Sequence, residues 1–532
     1  MAVFDAETAE PAEIELPATL GTRQLEILSD DVLRFLGVLH RRFEDQRQRL
    51  MKLRQSRHER FAGISVPKFQ STTEHIRDGD WEIAPWPSDL DDAAVILSGS
   101  ADRRALIQGL NSGAPIYIAD LADTTAHSWS AVIDAQINLL DRWDDRLEST
   151  DERSGKACRL NETTAVLMVR PRAWDLEEPK LRIAGTPISA SLFDFGLYAF
   201  HTAHKAVAAG ATPYFALAGL ANSQEARLWD DVLRFAHEQL GLQPGTLRVL
   251  PGLETLTSVH EMDEILYEMR DHAVGLYLGA TNLAVSYIAT LRADSSRVLP
   301  DTIDLNCNGG FLNSSLRLMS QICARRRAKA FGGAVAALDI GANPNGARSP
   351  GIAVQQNHAA DLDGIIVTNT DSLVAALDEV RTPSPAASSE DIMSADGIIS
   401  AAELLGAPKG DLTEDGLRSS IRLGLSYLEA WRRGRGYTTI DGRVFNAADA
   451  DLARAQVWQQ LRHAARLSDG RVVDPGLVSV LIEDELFAIK NKVGPETYSR
   501  GCYPAVQKIF RSLVFSSDLE PSIMCILDGN SE

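Results

Sequence analysis

AVLMV at residues 165–169, running straight into RPRAW at residues 170–174, is the stretch on which the fold turns. A short β-rich run of this kind reads as a strand, and its end delivers Arg170. Outward from it, between about Asp92 and Val367, similar runs alternate with helical stretches of roughly ten or more residues. The other candidate strands are Ala94 to Leu97, Ile116 to Ile118, Tyr214 to Leu217, Leu247 to Leu250 and Gly364 to Val367. Strand and helix units repeated over roughly 270 residues predict a (β/α)8 TIM barrel, a fold in which the strand ends carry the chemistry. A doubly wound sheet is the other option, but no G-x-G-x-x-G follows an early strand.

Flanking segments complete the organisation. From Asp30 to Arg60, Val32, Leu33, Phe35, Leu36, Val38, Leu39 and Phe43 recur at helical spacing, which predicts a helical N-terminal arm. RTPSPAASSED, from Arg381 to Asp391, has the Pro, Ser and Ala content of a linker. Beyond it, Leu417 to Arg435 and Asp449 to Arg466 are amphipathic helical patterns, and with Val478 to Ile489 and Ala505 to Phe515 they predict an all-helical C-terminal domain. The expected division is therefore 1–90 arm, 91–380 barrel, 381–416 linker and crossover, and 417–532 helical domain.

Composition narrows the partners. The 532 residues are 45% hydrophobic and carry a formal net charge of -20, which argues against nucleic-acid or anionic-membrane partners, since these need a cationic surface. The five cysteines form no C-x-x-C pair and fit neither a disulfide framework nor a thiolate zinc site. Met1 to Thr19 lacks the basic and apolar regions of a signal peptide, and no run reaches the roughly 18 to 20 apolar residues of a membrane helix. A cytoplasmic location is expected.

A set of collinear runs then carries a resemblance. They are DWEIAP from Asp80, DRR from Asp102, NSGA from Asn111, QINL from Gln136, RPRAW from Arg170, LFDFGLY from Leu192, EARLW from Glu225, LET from Leu253, EMDEILYE from Glu261, ARRRA from Ala324, YLEAW from Tyr427 and RAQVW from Arg454. In order and spacing the chain resembles the malate synthase family across nearly its whole length. The resemblance implies a TIM barrel with an N-terminal helical clasp and a C-terminal helical plug. It also implies a Claisen-type condensation of acetyl-CoA with glyoxylate. Such a reaction needs a carboxylate base, a divalent cation held by carboxylates, and a fixed positive charge for the developing oxyanion.

Residue by residue, the resemblance places the family's catalytic arginine at Arg170 and one of two metal-binding carboxylates at Glu254. The family's G-R-W-D reads here Gly279, Ala280, Thr281, Asn282, so the second carboxylate has become an amide. That loss weakens any Mg²⁺ site, which depends on carboxylates and substrate oxygens. The family's base, the aspartate of a D-A-A-T-A run, falls on Asn446 of NAADA, and a carboxamide has no usable basicity. Asp449 or Asp451 substitutes only if the loop is displaced. D-F-E-D has become Asp120, Leu121, Ala122, Asp123, and P-K-x-E has become Ala218, Gly219, Leu220, Ala221. F-x-R-A-Y and W-V-A-H-P have become FLNSS from Phe311 and IVTNT from Ile366.

Weaker signals are His201 and His204, spaced for a shared metal or for a packed pair, and the basic Arg432, Arg433 and Arg435, placed for CoA phosphates or as a solvated helix end. Three readings stand open. The first is a repurposed enzyme acting on a small 2-oxo acid or related carboxylate, with an acyl-CoA as a further substrate. The second is an authentic malate synthase in which Glu254, Asn282 and a shifted Asp449 suffice. The third is a catalytically silent scaffold.

Overall fold

The computed structural model describes residues 13–61, 65–150, 155–305, 310–333, 335, 362–381, 399–520 and 522–523. Eight parallel strands close into a barrel: β1 (Val95–Ser100), β2 (Ile116–Asp120), β3 (Val166–Arg170), β4 (Tyr214–Leu220), β5 (Arg248–Leu253), β6 (Gly275–Leu278), β7 (Lys329–Gly333) and β8 (Gly364–Val367). The barrel expected from the sequence is present, and β8 closes on β1 by pairing Ile365, Ile366 and Val367 with Val95, Ile96 and Leu97. Its interior is filled by Ile96, Ile118, Met168, Tyr214, Leu250, Tyr277 and Phe331, so it is a packed core rather than a pore.

Six strands match the runs quoted above, while β6 and β7 have no counterpart among them. GLYL and KAFGG are short and glycine-bearing, which lowers any local strand signal. The glycine is there for closeness: a Cβ on Gly275 would stand 2.1 Å from the carbonyl oxygen of Lys329 on β7.

The arm is α1 (Asp30–Phe61), whose buried face includes Val32, Phe35, Leu36, Leu39 and Phe43. It lies on the barrel helix α2 (Ala190–Ala208), where a Cβ on Gly196 would meet Leu36 Cδ2 at 2.6 Å. Arg47 pins it, donating to Glu44 at 2.7 Å, to Glu177 at 2.8 Å and to the Trp174 carbonyl at 2.7 Å. Near the end of α1, Arg54 donates to the carbonyl of Gly219, so the arm reaches the C-terminal end of β4.

The C-terminal part is helical, built from α3 (Glu414–Arg432), α4 (Ala447–Arg462), α5 (Pro475–Val493) and α6 (Tyr503–Val514) around its own core of Leu417, Ile421, Leu425, Val457, Ile482 and Phe510. One hairpin, Tyr437–Ile440 with Arg443–Asn446, interrupts the helices that the sequence reading expected to be uninterrupted. Its two-residue turn, Asp441 and Gly442, has positive φ at both positions, the geometry an Asp-Gly pair adopts in tight hairpins. The amphipathic pattern expected from Asp449 to Arg466 is not what forms. α4 is buried from Ala447 through Gln460 because it is wedged between the barrel and the helical domain. The linker read at Arg381 to Asp391 lies outside the described residues except for Arg381.

Gly436 sets the hairpin against the barrel, since a Cβ there would come within 2.4 Å of the Thr125 carbonyl carbon. Gly436→Val is expected to raise amide hydrogen exchange over residues 437–446 while the barrel strands stay protected; unchanged exchange in the hairpin refutes this docking role.

Candidate active site

Strand register builds the site. Asp120 and Arg170 end β2 and β3 as directly paired residues. Leu253 pairs with Leu278, so Glu254 and Gly279 follow as neighbours at the ends of β5 and β6. Gly279 has to be small: a Cβ on it would stand 2.7 Å from Glu254 Cγ.

Arg170 is the centre. Its Nη1 donates to Asp120 at 2.8 Å and to Asp123 at 2.7 Å, its Nη2 to Glu254 at 2.7 Å, and its Nε to the Tyr277 hydroxyl at 3.1 Å. Arg170 is 5% exposed. Burial works against its charge, and the three carboxylates overcome that and hold it protonated. Burial pushes the Asp120 carboxyl up despite Arg170 beside it, and pushes the Tyr277 phenol up as well. Asp123 is the most open of the three carboxylates, with 19% side-chain exposure. It also accepts from the Asn282 amide at 3.0 Å.

A divalent cation does not fit this donor set. Glu254 Oε1 accepts from both Arg170 and the Tyr277 hydroxyl, and Oε2 accepts from the Gly219 N–H at 2.6 Å. Asn282 turns its N–H rather than its oxygen towards the neighbouring carboxylate, and reversing the amide would set oxygen against oxygen. No group of three or more His, Cys, Asp or Glu side chains among the described residues is arranged to hold a metal.

The start of α4 closes the mouth from the other side. Ala447 N–H donates to the Asp123 carbonyl at 3.0 Å. Asn446 caps the helix: its side-chain oxygen accepts from the Asp449 N–H at 3.1 Å, and Asp449 returns the bond by accepting the Asn446 N–H at 3.0 Å. Asp449 also accepts from the Thr281 hydroxyl at 3.3 Å. Burial, with the charge of Asp123 adding to it, raises the Asp449 carboxyl to about 7. Asp451, the other substitute considered, points away and pairs with Arg454 at 2.6 Å.

A cleft of about 880 Å³ opens onto Asn446 and Asp449. Its walls include Ser98, Asn111, Arg159, Thr368, Asn369 and Tyr437. Arg435 lies elsewhere, on a separate cavity of about 760 Å³ shared with Arg23 and Arg103, and Arg433 is paired with Glu429 at 2.5 Å.

All six sequence-predicted site residues, Arg170, Glu254, Gly279, Asn282, Asn446 and Asp449, therefore meet at the barrel mouth. His201 and His204 do not share a ligand, since each donates to a different carbonyl, that of Ile27 and that of Leu240, at 2.7 Å. Sequence reasoning missed the roles of Asp120, Asp123, Tyr277 and Thr281. The first two carry a signal, an Asp pair directly after a strand run, but Tyr277 sits on a strand that went unread.

Compared with known proteins, residues 13–75 match the domain described as "Malate synthase, N-terminal domain", 166–362 "Malate synthase, TIM barrel domain", and 411–527 "Malate synthase, C-terminal". The chain is 36% identical to malate synthase of Myxococcus xanthus, covering 93% of this chain and 92% of that one. It is 38% identical to malate synthase of Streptomyces clavuligerus, covering 93% of each, and 33% identical to malate synthase A of Escherichia coli, covering 95% and 96%. No helix among the described residues is long and apolar enough to cross a membrane.

Two outcomes follow from these electrostatics. Below its ordinary value of 3.8 the Asp449 carboxyl is protonated in both folded and unfolded chains and costs nothing; as pH rises towards about 7 only the unfolded chain ionises, and stability is lost. The full loss is about 4 kcal/mol. Asp449→Asn is expected to melt higher than the parent at about pH 8, with the gain vanishing near pH 4; a variant that melts lower at both refutes this. Arg170→Ala strands three carboxylates, and is expected to cost about 3–5 kcal/mol in denaturant unfolding.

Proposed function

The chain belongs to the malate synthase family, and on that premise we propose that it is a repurposed malate-synthase-like enzyme of the acyltransferase type. It joins an acyl-CoA to a small 2-oxo acid or related carboxylate without the family's magnesium site. The observation that carries this reading is the closed network around Glu254, whose oxygens are taken by Arg170, Tyr277 and Gly219 while Asn282 donates to Asp123. An electrophile held through a metal needs free carboxylate oxygens at that point.

Arg170 takes over the positioning of the acceptor. A single guanidinium facing three carboxylates repels a further anion, so the acceptor's carboxylate enters by replacing one of them. Asp123, the most open of the three and shared with Asn282, is the partner able to yield. A bidentate guanidinium then aligns a planar carboxylate. The cleft leading to Asn446 and Asp449 has the size of a small-molecule site and suits the acyl-thioester end of the donor.

A second reading, condensation of acetyl-CoA with glyoxylate, is favoured by the identity to malate synthases over nine-tenths of the chain. A silent scaffold is favoured by the enclosure of Arg170, though not by the open cleft beside it. Purified protein incubated with acetyl-CoA, glyoxylate and Mg²⁺ is expected to release no free thiol at the rate of an ordinary malate synthase, to bind acetyl-CoA by calorimetry, and to show no saturable Mg²⁺ binding. The double variant Asn282→Asp, Asn446→Asp is expected to stay inactive, because Ala122, Gly219, Ala221 and Asn313 remain changed. Thiol release that depends on Mg²⁺ establishes the second reading, and failure to bind acetyl-CoA establishes the scaffold.

A further inference from the structure

At the mouth of this barrel the carboxyl groups divide into two kinds. Asp120, Asp123 and Glu254 are all tied to one guanidinium, and Asp451 to another, so each already has a cationic partner. Asp449 is different. Among the described residues no Lys or Arg pairs with it, it is buried, and it lines the 880 Å³ cleft together with Asn446. Asp371, the other carboxylate on that cleft, is exposed at the start of the helix Thr370–Arg381.

We propose that Asp449 is the proton-abstracting base of this chain, a carboxylate displaced one helical turn from the position now held by Asn446, with Asn446 as its positioning residue. The inference rests on the acyl-thioester reading above. Positions 446 and 449 are the N-cap and N3 of α4, and their side chains grip each other's backbone N–H groups in a reciprocal box. Such a box fixes the rotamer of the N3 carboxylate. Thr281, from the residues that follow β6, fixes it from the barrel side. The carboxylate is thereby aimed by two hydrogen bonds and an amide cap with no salt bridge, the condition under which a carboxyl keeps basicity near neutral pH. Capping alone does not call for this arrangement, because a Ser, Gln or Glu does the same at an exposed helix start without burying an unpaired acid.

In the step assigned to it, a carboxylate oxygen of Asp449 takes a proton from the carbon beside the thioester carbonyl. The C–H electron pair becomes the enolate, whose carbon bonds to the acceptor's carbonyl carbon. The acceptor's π pair moves to its oxygen, which takes the proton back from Asp449 and regenerates the base. The groups facing Asp449 are Asp123 across the mouth, Thr281 at its side, and Asp371, Arg159 and Tyr437 around the cleft. Burial and Asp123 place its titration at about 7.

The test follows the methyl protons of acetyl-CoA by NMR in D2O with the full-length chain and no acceptor. Wild-type protein is expected to exchange them at a rate that rises with pH through about 7 and then levels off. Asp449→Asn is expected to lower the rate by about 100-fold or more with acetyl-CoA affinity unchanged. Asn446→Ala is expected to slow exchange and move the pH midpoint, a shift that a purely structural cap would not produce. If acetyl-CoA does not bind, the function proposed above falls and this assignment with it. If it binds and does not exchange, or if folded Asp449→Asn exchanges at the wild-type rate, only the assignment of Asp449 is overturned.

Discussion

One guanidinium ties together the ends of this barrel's strands. Arg170 leaves β3 beside Asp120 of β2, reaches Glu254 after β5 and the Tyr277 hydroxyl of β6, and holds Asp123 in the loop that follows β2. Every other feature of the mouth hangs on that hub. Through Asp123 it touches Asn282 and, by the Asp123 carbonyl, the first turn of α4. Through Glu254 it touches Gly219, and beyond it Arg54 of the arm. A buried ion cluster of this kind contributes little net stability, because desolvation offsets most of the attraction. Its effect is geometric: it fixes where three parts of the chain meet.

The cluster also accounts for what the two amides beside it do. With one cation at the centre, each further acid at the mouth adds repulsion unless a metal compensates. Asn282 in place of an aspartate removes one charge and supplies an N–H to Asp123, turning repulsion into a hydrogen bond. Asn446 does the same at the start of α4, where an amide oxygen still caps the helix without adding a second acid next to Asp449. The two amides thus act together, keeping two further acids away from a mouth where three carboxylates already share Arg170.

Much of this was legible in the sequence, and the gaps have physical causes. The barrel showed through six β-rich runs because strands covered on both faces are strongly apolar; β6 and β7 stayed hidden because close approach of their backbones demands glycine, which carries no strand signal. The hairpin before α4 had a plain Asp-Gly turn signal between TTI and RVF, overlooked because helices surround it. α4 itself was misread as amphipathic. A helix buried from Ala447 through Gln460 has no solvent-facing polar side, and two of its glutamines bond to backbone after the barrel helix that follows β6: Gln456 donates to the Pro300 carbonyl and Gln459 to that of Arg297. The convergence of Arg170, Glu254, Gly279, Asn282, Asn446 and Asp449 followed from family positions, whereas Tyr277 and Thr281 needed the strand register.

The placement of Asp449 carries a cost for the folded chain. A buried carboxyl without a cation lowers the stability of the folded chain at neutral pH, and most substitutions at that position would relieve the cost. Drift towards greater stability removes such a group, because an amide or hydroxyl caps the helix equally well. The acid stands beside an amide that caps the same helix, at the edge of an open cleft and within a helix whose other contacts are those of a well-packed core. Strain of that sort at a cleft is where chemistry is found. Amides at 282 and 446 beside an acid at 449 are the arrangement that the proposed base requires, one carboxyl kept apart from the ion cluster by two neutral neighbours.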